Sequence, residues 1–168
     1  MSDSSGDGDG PGAAEQVTGL PRASGARWRR ILLAVEPSGP SASALDMARA
    51  LALPLQAEVL MVCAIELHPR YDGLRADRSE PARQIDEAVS TLGRAGLAAR
   101  GEVLVTLVGE GARAIAETAT TFGAELVIVA SRRAPLLVRA LGASFAQRMA
   151  RVCAVPVLLL PDEPAHQP

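Results

Sequence analysis

The side chains able to hold phosphate, move protons or bind metal are few and unevenly placed along the 168 residues. All 17 basic residues are arginine and none is lysine, so Schiff bases, cofactor aldimines and a Walker-type phosphate lysine are excluded. Arg132, Arg133, Arg139, Arg148 and Arg151 fall between Leu126 and Pro161 with no acid among them, in a chain of net charge −2. Guanidinium groups pair bidentately with phosphate and carboxylate. That segment therefore points to an anionic ligand or an acidic partner. Against it stands a plainer reading, a solvated helix face carrying Arg148 and Arg151 three residues apart. Cys63, Cys153, His68 and His166 stand singly, without C-x-x-C or H-x-x-x-H spacing, which supports neither a zinc site nor a disulfide framework. Both cysteines lie in apolar stretches and read as inert core thiols. His68 reads as an exposed loop residue, and no set of nucleophile, base and orienter appears, as an acyl- or phosphoryl-transfer hydrolase requires.

The elements that must position these residues follow from the apolar pattern. Residues 1–28 are rich in Gly, Ser, Asp, Pro and Ala and bury too little to offset chain ordering, so they read as a disordered, largely acidic tail. A polar, Pro-rich tail spans 162–168, which leaves one domain over 29–161. Inside it, short continuous apolar runs alternate with longer helical periods, the signature of strand and helix alternating in an α/β sheet. The strands are expected at Arg30–Glu36, Glu58–Ile65, Glu102–Val108, Glu125–Ala130 and Val155–Leu160. Ser41 caps a first helix that ends at Pro54, and Ser79 with Pro81 just inside starts a second. A polar loop with Pro69 and Gly73 precedes the second helix. The third helix runs from Ala112 to Phe122 and is closed by Gly123. The last spans about Ala140 to Val152. Runs buried on both faces imply a parallel sheet covered by helices on each side, with right-handed crossovers. Pro156 and Pro161 cannot donate to a ladder, which makes the fifth strand an edge.

In such a sheet the ligand crevice lies beyond the carboxyl ends of the strands where strand order reverses. That places the candidates in Ala34 to Ser38, Ala64 to Glu66 and Ala130 to Ser144. The layout resembles the universal stress protein family. The resemblance is carried by Val108-Gly-Glu-Gly-Ala-Arg-Ala-Ile-Ala-Glu117, by Gly123-Ala-Glu-Leu-Val-Ile-Val-Ala-Ser-Arg132 and by Ala154-Val-Pro-Val-Leu-Leu-Leu160, and it covers about Arg30 to Pro161. It implies a Rossmann-like, single-domain, five-stranded sheet of order 3-2-1-4-5. It also implies nucleotide positions at Ala34, Val35, Glu36, Ala64, Ala130, Arg132, Arg133, Ala143, Ser144 and Phe145.

Nucleotide-binding members of the family carry G-x-x-G, nine residues, then G-S or G-T. On this chain the spacing survives, but the glycine positions hold Ala130, Arg133 and Ala143, while Ser144 keeps the hydroxyl. Glu36 stands where the family has an acidic residue after the first strand. A residue with a Cβ in the conformations glycine supplies there costs on the order of 1–2 kcal/mol. Three such losses predict weak or absent ATP binding. Arg132 and Arg133 offer guanidinium groups in their place, and Ser144 at a helix N-terminus is either a phosphate ligand or simply a cap.

Two functional readings result. One is a non-catalytic, homodimeric stress-response or regulatory module with weak or lost ATP binding and no expected cofactor. The other is an adenine-nucleotide sensor of the same fold, with ATP held by Arg132, Arg133 and Ser144. An α-hydrolase of adenine nucleotides would need S-G-G-x-D-S after the first strand, where this chain has Glu36-Pro-Ser-Gly-Pro-Ser41. The homodimer is expected to join antiparallel through the fifth strand, because an open apolar edge invites pairing. Nucleic acid is not expected as a partner: the net charge is −2, and the aromatics Trp28, Tyr71, Phe122 and Phe145 are too few for stacking platforms. No secretory pattern or membrane-length apolar run occurs, so a cytoplasmic protein is expected.

Overall fold

Alternating apolar runs and amphipathic periods build β1 (Arg30–Val35), α1 (Ala42–Leu55), β2 (Glu58–Leu67), α2 (Ser79–Arg94), β3 (Ala99–Leu107), α3 (Gly111–Phe122), β4 (Leu126–Ala130), α4 (Phe145–Val152) and β5 (Val157–Leu160). The computed structural model describes residues 28–68, 76–130 and 145–160. The tails, the Pro69–Gly73 loop, the expected helical start at Ala140 and the segment holding Arg132, Arg133, Ala143 and Ser144 lie outside them. The five strands form one sheet in the order β3-β2-β1-β4-β5, and every pairing is parallel. This is the expected doubly wound, Rossmann-like α/β architecture, with strand order reversing between β1 and β4.

Successive strand residues point to opposite faces, and β1, at the sheet centre, buries both. Ile31, Leu33 and Val35 join Ala44, Ala48, Ala52, Ile85, Ala88 and Leu92 of α1 and α2 in one apolar layer. Leu32 and Ala34 join Ala112, Ile115 and Ala119 of α3 and Met149 of α4 in the other. Alanines at i, i+4 and i+8 let α1 approach the sheet closely. Trp28 packs against the first layer.

Helix ends follow local chemistry. Ser41 Oγ accepts the Ala44 N–H at 3.2 Å and caps α1. The second helix starts at Ser79, but Asp77 supplies the acceptor, taking the Ser79 N–H at 2.9 Å and its hydroxyl at 2.6 Å. Those two bonds hold the Asp77 carboxyl below its ordinary range. Gly123 closes α3 with φ 69°, a conformation that only glycine adopts cheaply. Pro54 stands inside the last turn of α1 instead of ending it, and the helix stops at Gln56, left-handed at φ 51°.

Strand bounds differ from the sequence pattern where backbone pairing outlasts side-chain periodicity. β3 begins at Ala99 because Ala99 pairs with Val59 in a register that runs to Leu107 opposite Leu67, carrying the polar Arg100, Gly101 and Glu102 into the ladder. The same pairing extends β2 two residues past Ile65. β5 begins at Val157, since Pro156 has no N–H to give; its carbonyl instead accepts the Val127 N–H at 3.0 Å. Among the described residues no helix is long and apolar enough to cross a membrane.

Candidate functional site

The carboxyl ends of β1, β2 and β4, on either side of the reversal in strand order, open into a cavity of about 380 Å³. Its size falls within the range of small-molecule sites. β1 and the residues after it contribute Ala34, Val35, Glu36 and Pro37; β2 contributes Ala64 and Glu66; β4 contributes Ala130. Ile115 of α3 and Phe145 and Arg148 of α4 complete the wall. Two wider grooves, of about 470 and 670 Å³, lie elsewhere, one between β3 and α3 and one along α2 alone. Neither stands at the ends of the central strands.

The fold therefore brings together Ala34, Val35, Glu36, Ala64, Ala130 and Phe145, residues distant in sequence. Arg132, Arg133, Ala143 and Ser144 lie outside the described residues. The crevice also includes Glu66 and Arg148. The first fell within the stretch that follows the second strand, and the second was one of five arginines with nothing in the pattern to single it out. Arg148 corrects the reading of that helix as a solvated face: it is half-buried and turned into the crevice, whereas Arg151 is exposed. His68, expected to be exposed, is half-buried just past β2.

Charge in the crevice is arranged around Glu66. Its Oε1 accepts the Gly111 N–H, in the first turn of α3, at 3.0 Å, where the helix dipole favours an anion. A Cβ on residue 111 would stand 2.6 Å from Oε1, so a side chain there would push the carboxylate aside. Arg148 Nη2 lies 3.8 Å from the same oxygen, an ion pair longer than a hydrogen bond. The Arg148 guanidinium sits 6.0 Å from the centre of the Phe145 ring, and its Nε is buried with no hydrogen-bond partner among the described residues. Two carboxylates and one guanidinium on apolar walls can bind and orient a polar molecule. The described lining holds no hydroxyl, thiol or imidazole, and the described residues contain no cluster of metal-ligating side chains. Cys63 is fully buried, and burial pushes its thiol up to about 11; the half-buried Cys153 is raised for the same reason. Both are held as unreactive thiols.

A sheet of order 3-2-1-4-5 with a crevice at its switch point defines a doubly wound α/β protein. Residues 27–161 match the universal stress protein family, and the chain belongs to that family. Among solved structures, a protein of this family from Burkholderia pseudomallei is similar at 25% identity and a TM-score of 0.60, covering 82% of this chain and 99% of that one. A universal stress protein from Archaeoglobus fulgidus in complex with dAMP is 20% identical with a TM-score of 0.59, over 79% of this chain and 97% of that one. A universal stress protein in complex with cAMP is 20% identical with a TM-score of 0.58, over 80% and 97%. No curated protein matches the chain.

Proposed function

We propose that the protein is a non-catalytic, homodimeric regulatory module of the universal stress type, whose crevice takes adenine nucleotides weakly. The observation that carries this reading is the convergence of Ala34, Val35, Glu36, Ala64, Ala130 and Phe145 on one cavity of about 380 Å³, while the glycine positions of the phosphate loop are occupied by Ala130, Arg133 and Ala143. Space of nucleoside size is present, and the glycines of the family's phosphate loop are absent from the sequence. Relatives of similar fold in complex with dAMP and cAMP support the ligand class. A binding role without chemistry rests on the sequence, in which no set of nucleophile, base and orienter appears. The alternative, a true ATP sensor held by Arg132, Arg133 and Ser144, draws its support from Arg148, an arginine of the same basic segment that faces the crevice with an unpartnered buried Nε among the described residues.

Calorimetric titration with ATP, beside the triple variant Ala130→Gly, Arg133→Gly, Ala143→Gly, separates the two. Weak binding by the native chain and markedly tighter binding by the variant are expected. Low-micromolar binding by the native chain overturns the weak-binding reading in favour of the sensor.

The dimer is assigned to the fifth strand, Val155–Leu160. Among the described residues, β5 is a four-residue edge strand paired only to β4. Leu159 on it and Val152 beside it are 45% and 46% exposed, large apolar groups at an open backbone edge. Sedimentation at tens of micromolar is expected to give a dimer, and a monomer there overturns the assignment.

A further inference from the structure

We propose that Glu66 is a specificity-determining residue that sets the crevice against polyphosphates and in favour of adenine ligands of low charge, the nucleoside or a monophosphate. The proposal rests on the reading of the crevice as an adenine-nucleotide site, and it concerns a residue that the phosphate-loop positions do not include.

β1 ends at Val35, opposite Cys63, but β2 continues to Leu67 because β3 goes on pairing with it. Glu66 is thus raised three residues above the last β1 pairing and stands at the rim, facing the first turn of α3. A helix N-terminus with free amides is the ordinary place for a phosphate in an α/β fold. Here the chain's own carboxylate already occupies it, through the 3.0 Å bond from Gly111 N–H. The missing Cβ of Gly111 leaves room for the Glu66 carboxylate to reach that amide.

Arg148 extends the argument across the opening. At 3.8 Å its Nη2 feels the Glu66 charge without donating a hydrogen bond to it, and its buried Nε has no partner among the described residues. The side chains of Arg148 and Glu66 are 38% and 26% exposed, so neither charge is fully screened by water. A triphosphate entering this field meets like charge at the rim and finds both the α3 amide and much of the Arg148 field already engaged. A nucleoside meets neither obstacle.

Glu66→Gln removes the charge and keeps an oxygen for the Gly111 amide. Adenosine, AMP and ATP are titrated by calorimetry into the native protein, Glu66→Gln, and the double variant Glu66→Gln, Arg148→Gln, with melting temperatures recorded to confirm folding. The ratio of the ATP Kd to the adenosine Kd is expected to fall about tenfold in Glu66→Gln, the scale of one charge-assisted hydrogen bond gained. AMP should change less, and the double variant should return the ratio most of the way. An unchanged ratio in a folded Glu66→Gln that still binds adenosine overturns the role of Glu66 and leaves the nucleotide site standing. Failure of all three ligands to bind either the native chain or the variants overturns the nucleotide reading and this inference with it. Glu66→Ala serves as the second probe if the glutamine variant unfolds, with the same direction expected for the ratio.

Discussion

The two ends of the sheet use charge in opposite ways. At the amino ends of the strands, Glu125 Oε2 accepts the Arg29 and Arg30 N–H groups at 2.5 and 3.1 Å, and Arg30 Nη1 donates to the Phe122 carbonyl at the end of α3 at 3.0 Å. Arg100 pairs with Glu58 at 3.0 Å and lies 5.1 Å from the centre of the Phe122 ring. Each of these groups spends its hydrogen bonds on backbone or on a partner in direct contact. At the carboxyl ends, Glu66 also takes a backbone amide, from Gly111 at 3.0 Å, but it and Arg148 stand 3.8 Å apart, and the buried Arg148 Nε has no partner among the described residues. Charges at the amino end close on one another and hold the fold, whereas the Glu66–Arg148 pair at the carboxyl end stops short of a hydrogen bond.

The sharpest attempt to break this contrast loads the amino end sterically. A Cβ on Gly101, near the start of β3, would sit 2.0 Å from Ile85 Cγ2 of α2. Gly101→Ala is therefore expected to lose about 1–3 kcal/mol in denaturant unfolding, with the ligand preference of the folded protein unchanged. An altered ATP-to-adenosine ratio would show the two ends to be coupled.

Next in size is the pH response of the interior. The Cys63 thiol is raised from an ordinary 9.0 to about 11 by burial. A raised group stabilises the fold fully below its unfolded value, so stability should decline as pH climbs from about 9 toward 11, because the unfolded chain gives up a proton that the folded one keeps. The slope from this group reaches at most about 1.4 kcal/mol per pH unit. Cys63→Ala should remove that part of the slope, and an identical slope in the variant refutes the assignment.

Smaller effects compare the ends residue for residue. Glu125→Ala, which strips the acceptor from two backbone amides, should cost about 1 kcal/mol. Gln56→Gly, at the left-handed stop of α1, should gain about 0.5–1 kcal/mol, because glycine takes φ 51° without the Cβ penalty. Glu66→Gln should move stability by less than about 0.5 kcal/mol while changing the ligand ratio. If it costs as much as Glu125→Ala, the Glu66 carboxylate belongs to the scaffold and the contrast between the ends fails.

Much of this architecture is legible from residue pattern. β1, β2 and β4 read as continuous apolar runs because both their faces are buried, and the Pro156 rule placed β5 at an edge. β3 was harder: its first turn of ladder carries Arg100, Gly101 and Glu102 on an outer strand, where backbone pairing with β2 continues after the apolar pattern has stopped. Ala34, Val35, Glu36, Ala64 and Ala130, which line the crevice, lie in the stretches that the switch-point rule marked at the carboxyl ends of the strands. Glu66 was only a member of a candidate stretch, since the two-residue overhang of β2 depends on its partner strand. Arg148 was indistinguishable from Arg151, because a three-residue interval on a short helix does not say which of the two turns inward.

Composition and order alone determined that this chain, with arginine as its only basic residue besides histidine, makes an α/β domain of the universal stress type, because these properties depend on residue identity and period. Only the tertiary structure decided that a carboxylate from β2, an amide from α3 and a guanidinium from α4 meet at one rim. That meeting joins residues 66, 111 and 148, and it is set by strand register and helix rotation, which local sequence does not encode.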